Sequence, residues 1–217
     1  SERLSSVLRV IYLVFNEGYS ASRGDDLIRQ ELSDEAIRLA RIVGQLLPQE
    51  TEIAGLLALM LLHDSRRQTR VDSTGEMVPL EQQNRARWNQ SKIEEGVAIL
   101  EEILPKRTLG PYQIQAAISA VHANSPSWAE TNWQEIAALY ELLFTIEPTP
   151  VVRVNQAMAV SYSGSVDVAL NMLEAAAIEG NLTNYQPYHA AKADLLARSD
   201  QVVEAKTSYL AAIELSD

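Results

Sequence analysis

Hydrophobic residues recur three and four positions apart along most of the chain, which is the spacing of one face of an α-helix. In the first segment Leu4, Leu8, Ile11 and Phe15 follow this pattern. Prolines, glycines and capping residues separate the later stripes. The pattern predicts an all-α protein, with helices over about 4–15, 27–47, 52–64, 90–104, 112–123, 133–147, 150–162 and 166–178, and two final helices separated near Ser199 and Asp200.

Residues with special backbone preferences give the expected helix ends. Gly18 is predicted to end the first helix in a left-handed cap, and a polar loop is predicted from Ser20 to Asp26. Asn89 or Ser91 should cap a helix that stops at Pro105, because their short polar side chains accept a hydrogen bond from the first turn.

The stretch from Gly55 to Trp88 departs from this plain helical pattern. An apolar run, Leu56 to Leu62, leads directly into His63-Asp64-Ser65-Arg66-Arg67. A short hairpin is predicted from Thr69 to Leu80, with Ser73-Thr74-Gly75 at its tip. Charged and aromatic side chains crowd here between two helices, so the sequence predicts a site in this stretch without naming a reaction.

A repeat underlies the helices of the second half. Small residues at fixed points let paired helices approach closely. In the earlier part of the chain, an alanine or isoleucine lies 12 residues before a proline at three places. The repeated positions are Ala157, Val160, Ala169, Leu173 and Ala176, which recur 36 residues later as Ala193, Leu196, Ala205, Tyr209 and Ala212.

These spacings predict antiparallel helix pairs in a divergent tetratricopeptide-like array, with the hairpin as its one insert. An irregular helical bundle with chance spacing is the alternative. Residues 1–217 are interpreted as a single helical-repeat domain. It comprises N-terminal helices over 1–64, an insert over 65–88 and tetratricopeptide-like pairs over 89–217.

Composition narrows the possible partners. The formal net charge is −11, from 18 basic and 29 acidic residues, so this chain is not expected to bind nucleic acid directly. It contains no cysteine, which excludes disulfides and thiol chemistry. The longest apolar run, Ile53 to Leu62, is well short of the roughly 20 residues of a membrane span. A cytoplasmic protein is expected, and the start within a helix suggests a fragment of a longer chain.

Candidate chemistry at His63-Asp64 is weak. Adjacent helical residues point about 100° apart, so these two ligate one metal only with outside help. The other histidines, His122 and His189, give no ligand spacing. A simpler interpretation places His63 against the unpaired carbonyls at a helix end and Asp64 beside an arginine. No catalytic residue, metal site or cofactor is therefore predicted.

The bases of the central stretch are the stronger signal. Residues 66–92 include six basic and three acidic side chains, which gives this segment a net charge of +3 in an acidic chain. Arginine suits carboxylates and phosphates, so the patch could hold an acidic partner helix or a small anion. Alternatively, the arginines pair internally with Glu17, Asp64 and Glu81 and fasten the insert to the array.

Six ordered segments together resemble one family. They lie at 12–22, 35–48, 55–72, 80–89, 110–123 and 148–160, and read YLVFNEGYSAS, EAIRLARIVGQLLP, GLLALMLLHDSRRQTRVD, LEQQNRARWN, GPYQIQAAISAVHA and PTPVVRVNQAMAV. This order resembles the C-terminal tetratricopeptide-like extension of an extracytoplasmic-function (ECF) RNA polymerase sigma factor. Gln82 and Asn84 depart from the family pattern, in which an acid is common at those places.

The resemblance implies a non-enzymatic regulatory and interaction module that contributes to transcription initiation. The polymerase-binding and DNA-binding sigma regions would lie outside these 217 residues. A free-standing tetratricopeptide-like scaffold that binds a peptide is the alternative. Expected partners are RNA polymerase, the sigma domains of its own chain, or an acidic regulatory protein.

A partner is expected to bind the face built around the insert. Trp88 and Tyr112 would supply an apolar anchor there, and the arginines would orient the partner. The rival interpretation is that Arg66 and Arg85 hold the fold together internally. The residues of the expected face are Tyr19, His63, Arg66, Arg67, Arg70, Arg85, Arg87, Trp88 and Tyr112.

Overall fold

The computed structural model describes residues 2–19, 26–106 and 109–216, and over these residues it contains ten α-helices and no β-strand. The all-α prediction is confirmed, and neighbouring helices pack in pairs. The helices are α1 (Glu2–Tyr19), α2 (Asp26–Leu46), α3 (Thr51–Asp64), α4 (Gln90–Ile103), α5 (Pro111–Asn124), α6 (Trp133–Ile146), α7 (Pro150–Tyr162), α8 (Val166–Gly180), α9 (Gln186–Arg198) and α10 (Val202–Glu214).

Asparagine side chains cap the starts of α4 and α6. The Asn89 side chain accepts a hydrogen bond from the Lys92 amide at 3.1 Å, and Asn132 accepts one from Glu135 at 3.1 Å. The first helix differs, because α1 continues through Gly18 to Tyr19. The predicted loop from Ser20 to Asp26 falls on residues 20–25, which lie outside the described residues, and on Asp26, the first residue of α2.

Two compact units divide the chain. The first, Ser1–Thr131, holds α1 to α5 and the insert, and the second, Asn132–Asp217, holds α6 to α10. The prediction that residues 1–217 form one helical-repeat domain stays a prediction.

Helix α3 is the centre of the first unit. Apolar residues cover its whole circumference, so it is buried on all sides rather than along one stripe. One side packs with Leu8 and Phe15 of α1, and the other packs with Trp88 of the insert and Leu100 of α4. Because α3 is fixed on all sides, the residues at its C-terminal end are held in place as well.

Helix α5 lies close against α3 and runs in the same direction. A Cβ atom added at Gly55 would lie 2.8 Å from the backbone nitrogen of Gln113, so only glycine permits this approach. Glu52 accepts a hydrogen bond from the Tyr112 amide near the start of both helices. His63 meets Ser119 further along. The C-terminal ends of α3 and α5 are therefore on the same side of the unit.

The second unit shows the predicted repeat. Leu173 of α8 is fully buried, whereas its repeat equivalent Tyr209 of α10 is 44% exposed. The difference arises because α8 packs against both α7 and α9, whereas α10 packs against α9. The alanines at the helix crossings are all 5% exposed or less, and they are Ala157, Ala169, Ala176, Ala193, Ala205 and Ala212.

None of the helices in the described ranges is long and apolar enough to cross a membrane.

Candidate functional site

The insert, residues 65–88, forms the hairpin that the sequence predicts. Val71 and Met77 make an isolated antiparallel bridge, and the Asp72 amide donates to the Glu76 carbonyl at 2.9 Å. Gly75 at the tip has a φ of 87°, a left-handed conformation that favours glycine. The prediction of a short hairpin in this region is confirmed.

Arg70 holds the hairpin against the end of α1. Its guanidinium donates a hydrogen bond to the carbonyl of Tyr19, the last residue of that helix. The Cζ atom also lies 3.6 Å from the centroid of the Tyr19 ring, a cation–π contact. Desolvation lowers the pKa of Arg70, Tyr19 partly offsets this shift, and the charge of Arg66 lowers the pKa further. Arg70 thus satisfies a carbonyl that the helix itself leaves unpaired.

Arg85 does the same for α5. It donates to the carbonyls of His122 and, at 2.7 Å, Ser125, where that helix ends. Its Cζ lies 5.0 Å from the Trp88 ring. A cation at a helix C-terminus also interacts favourably with the helix dipole. Arg85 therefore has the internal role that the rival interpretation gave it.

Asp64 is the buried acid of the site. It is 3% exposed and forms ion pairs with Arg67 and Lys92. Arg67 also reaches Asp34 at 3.2 Å. The predicted pairing with Asp64 is confirmed, but Glu17 and Glu81 make no ion pair within the described residues; Asp34 takes that place.

His63 points away from Asp64. Its Nε2 lies 3.1 Å from the Ser119 hydroxyl, and its ring stacks on Tyr19 at a centroid distance of 5.7 Å. The Nε2 atom thus meets a hydroxyl of α5, and the expected interaction of His63 with the carbonyls at the helix end stays a prediction. The described residues contain no group of three histidine or carboxylate side chains placed to hold a metal.

Trp88 belongs to a hydrophobic cluster of the core, and Tyr112 packs against the same cluster. Trp88 is 3% exposed, and its Nε1 donates to the Thr69 hydroxyl at 3.0 Å, so it is a core residue beneath the insert. Tyr112 lies in the first turn of α5, and its ring meets Tyr12 edge-on at 5.5 Å. Since Arg85 binds the other end of α5, the two places are about 15 Å apart along the helix axis. Trp88 is therefore too buried to be reached from the surface as it stands, and the anchor role of the two rings stays a prediction.

Among the described residues, Arg66 and Arg87 bind neither a helix-end carbonyl nor a carboxylate. Arg87 is exposed on the surface of the insert. Arg66 is half-buried, 3.3 Å from the Tyr19 hydroxyl, with its Cζ 6.0 Å from the Trp88 ring. The binding role of the nine predicted residues stays a prediction. The structure places Trp88 in the core beneath the insert and Arg87 on its surface.

His122 is a site residue that the sequence analysis set aside. It lies near the end of α5, where its ring stacks on Trp128 at 6.0 Å. Desolvation, with the charges of Arg66 and Arg85, lowers its pKa to about 4. Desolvation, then Arg66 and Arg70, lowers the pKa of His63 to about 3. The parallel packing of α3 and α5 brings both histidines under the influence of one arginine, Arg66.

Comparison with known proteins places the insert inside a recognised region. Residues 3–104 match a family model described as a family of unknown function, DUF6596. The chain is also 43% identical over 216 residues to an uncharacterized protein of Rhizobium meliloti (strain 1021). That match covers 100% of this chain and 51% of the relative, so the chain spans about half the length of the curated relative. No solved structure matches it.

The family match includes α1 to α4 and the whole insert, but it ends before α5. Arg85 and Arg66 therefore lie inside the matched region, whereas the carbonyls that Arg85 binds lie outside it. The similarity is to proteins described without a function, and it identifies a shared sequence region rather than an activity.

Proposed function

We propose that this chain is the C-terminal regulatory and protein-interaction module of an alternative RNA polymerase sigma factor of the extracytoplasmic-function type. The observation that carries the proposal is the order of the six sequence segments between residues 12 and 160, which together resemble the extension of such factors. The curated relative supports it, because about half of its length lies outside the match and leaves room for further regions.

The role proposed for the module is binding rather than catalysis. Helical-pair arrays commonly bind partners along one face, and the paired helices of this chain fit such a role. The proposed partners are RNA polymerase, the sigma domains of the same full-length chain, or an acidic regulatory protein. A cytoplasmic location follows from a role in transcription.

The net charge of −11 supports the proposal that other regions of the full-length chain bind the promoter. We expect the 217-residue chain to give no mobility shift with duplex promoter DNA at physiological salt. Salt-sensitive binding of the isolated chain at sub-micromolar concentration would contradict that division of labour.

The decisive experiment uses the full-length protein. Promoter-specific transcription with core RNA polymerase is measured for the full-length chain and for a version that lacks the segment corresponding to residues 1–217. We expect the full-length chain to initiate at its promoter and the shortened chain to lose most of that activity or its regulation. A full-length chain without a polymerase-binding and a helix-turn-helix region would overturn the proposal and favour the free-standing peptide-binding scaffold.

A further inference from the structure

Three guanidinium groups converge where the insert meets the ends of α1 and α5. Arg70 lies over the ring of Tyr19, whose hydroxyl is 3.3 Å from Arg66. Arg66 and Arg85 both face the ring of Trp88, at 6.0 and 5.0 Å from its centroid. These five residues are named the Arg66 cluster below.

The cluster has no carboxylate partner among the residues that the structure describes. The other half-buried arginines that the structure describes are paired with carboxylates: Arg67 with Asp64, and Arg153 with Glu141 at 2.9 Å. Arg66, Arg70 and Arg85 form no ion pair with the described acids. Among the half-buried arginines that the structure describes, this group is therefore an exception.

Desolvation and the positive charge of the cluster both lower the pKa values of the neighbouring histidines. Desolvation is the main cause of the lowered pKa values of His63 and His122, on α3 and α5, and the positive charge of Arg66 lowers both pKa values further. For Arg70 and Arg85 as well, the positive charge of Arg66 adds to the lowering of the pKa by desolvation. An excess of half-buried positive charge is costly unless an anion offsets it.

The donors of the cluster are unequally used. Arg70 donates to the Tyr19 carbonyl, and Arg85 donates to the carbonyls at the end of α5. The charge of Arg66 acts on both of these arginines. Arg66 itself makes one long contact of 3.3 Å, to the Tyr19 hydroxyl. A guanidinium presents several N–H groups in a planar fork that matches two oxygens of one anion. Arg66 thus keeps donors available.

We propose that Arg66, flanked by Arg70 and Arg85, binds an oxyanion: a carboxylate or a phosphate group. The two flanking arginines supply charge while holding the helix ends, and Arg66 supplies the fork that contacts the ligand. The inference rests on the 217-residue chain and not on its proposed transcriptional role. Failure of the oxyanion proposal therefore does not contradict the proposed transcriptional role, and the reverse also holds.

The test measures binding to the isolated chain. Inorganic phosphate and, separately, a hexaglutamate peptide are titrated at constant ionic strength, and the imidazole resonances of His63 and His122 are followed by NMR as local reporters. We expect saturable shifts of both resonances in the natural protein. In Arg66→Gln the affinity should fall about tenfold or more, because a charged bidentate contact is lost.

Arg87→Gln is the matched control, because it removes the same charge from an exposed position of the insert. It should leave the affinity nearly unchanged. Arg66→Lys keeps the charge and loses the fork, so it should bind more weakly than the natural protein with its melting temperature preserved. This variant keeps the test informative if Arg66→Gln fails to fold.

The relative affinities identify the source of the oxyanion. Tighter binding of hexaglutamate supports the carboxylates of an acidic protein segment, and tighter binding of phosphate supports a free or ester-linked phosphate group. The proposal is overturned if neither probe moves the two resonances in a saturable way. It is equally overturned if Arg66→Gln and Arg87→Gln lose the same affinity, since that result indicates general attraction to a basic surface.

Discussion

The insert and the α7–α10 repeat hold helices together by different means. In the repeat, alanines that are at most 5% exposed lie at the crossings, and apolar surfaces meet directly. In the insert, arginines reach the carbonyls that α1 and α5 leave unpaired at their ends. The first arrangement depends on shape and the second on hydrogen bonding and charge.

The difference has a clear energetic meaning. A small residue at a crossing stabilises through close packing, which is lost when a larger side chain is introduced. A half-buried arginine stabilises only while its acceptors are in place, because an unpaired charge or carbonyl away from water is costly. The repeat should therefore be sensitive to volume, and the insert should be sensitive to donors.

Among single substitutions, the largest effect is expected at Arg85. Replacing it in Arg85→Met keeps much of the aliphatic volume but removes the donor to the His122 and Ser125 carbonyls. We expect a loss of about 3 kcal/mol in the free energy of unfolding, measured by urea denaturation. The control Arg87→Met should stay within about 0.5 kcal/mol, since Arg87 is exposed. Equal losses in both variants would remove the distinction between the two arginines.

A change of volume tests the repeat. Ala169→Leu places extra methyl and methylene groups at a fully buried crossing and should cost about 2 kcal/mol. Val168→Leu, at a neighbouring position that is 52% exposed, should change the denaturation midpoint little. An unchanged midpoint for Ala169→Leu would show that the assumed helix register is wrong.

The two lowered histidine pKa values predict a pH dependence of the first unit. Folded His63 and His122 titrate at about 3 and about 4, whereas an unfolded histidine titrates near 6.5. Between these values the unfolded chain binds more protons, so stability is complete above about pH 6.5 and falls as the pH drops. The slope should approach about 1.4 kcal/mol per pH unit for each histidine.

Denaturation midpoints between about pH 7.5 and 5 measure this slope. Desolvation is the chief cause of the raised pKa of Glu52. The contribution of Glu52 to stability therefore increases as the pH falls, opposite to that of the two histidines. His122→Gln should flatten the dependence. A midpoint that is constant over this range in the natural protein would show that both rings accept protons in the folded state.

The smallest effect concerns a feature that both regions share. Asn89, directly after the insert, and Asn132, at the start of the second unit, cap their helices in the same way. Asn89→Ala and Asn132→Ala should each cost about 1 kcal/mol in the free energy of unfolding. A markedly larger loss at Asn89 would mean that the cap also supports the insert.

Much of the fold could be predicted from the sequence because the signals are local. Asn132, Pro111 and Pro150 mark helix starts within one or two positions. Gly18 misled the prediction because a glycine can lie inside the last turn when tertiary contacts stabilise that turn. Here Arg70 from the insert binds the Tyr19 carbonyl one residue beyond it.

The site was predictable only in part. The sequence identified the correct stretch and the hairpin, because turn residues and charges are visible there. It could not identify what the arginines bind, since the acceptors of Arg70 and Arg85 are backbone carbonyls and every residue has one. Ser119 and His122 were missed for a related reason: they come into the site only through the packing of α5 on α3.

Arg85 reaches across 37 residues to the His122 carbonyl and across 40 to that of Ser125. That separation has a consequence for the order in which the molecule assembles. Because its acceptors lie at the end of α5, we expect the contact to form after α5 has docked on α3. It should therefore belong to the late steps of folding, and its loss should speed unfolding while leaving the folding rate nearly unchanged. By the same reasoning, the insert is the part that we expect to detach first when the native molecule opens locally.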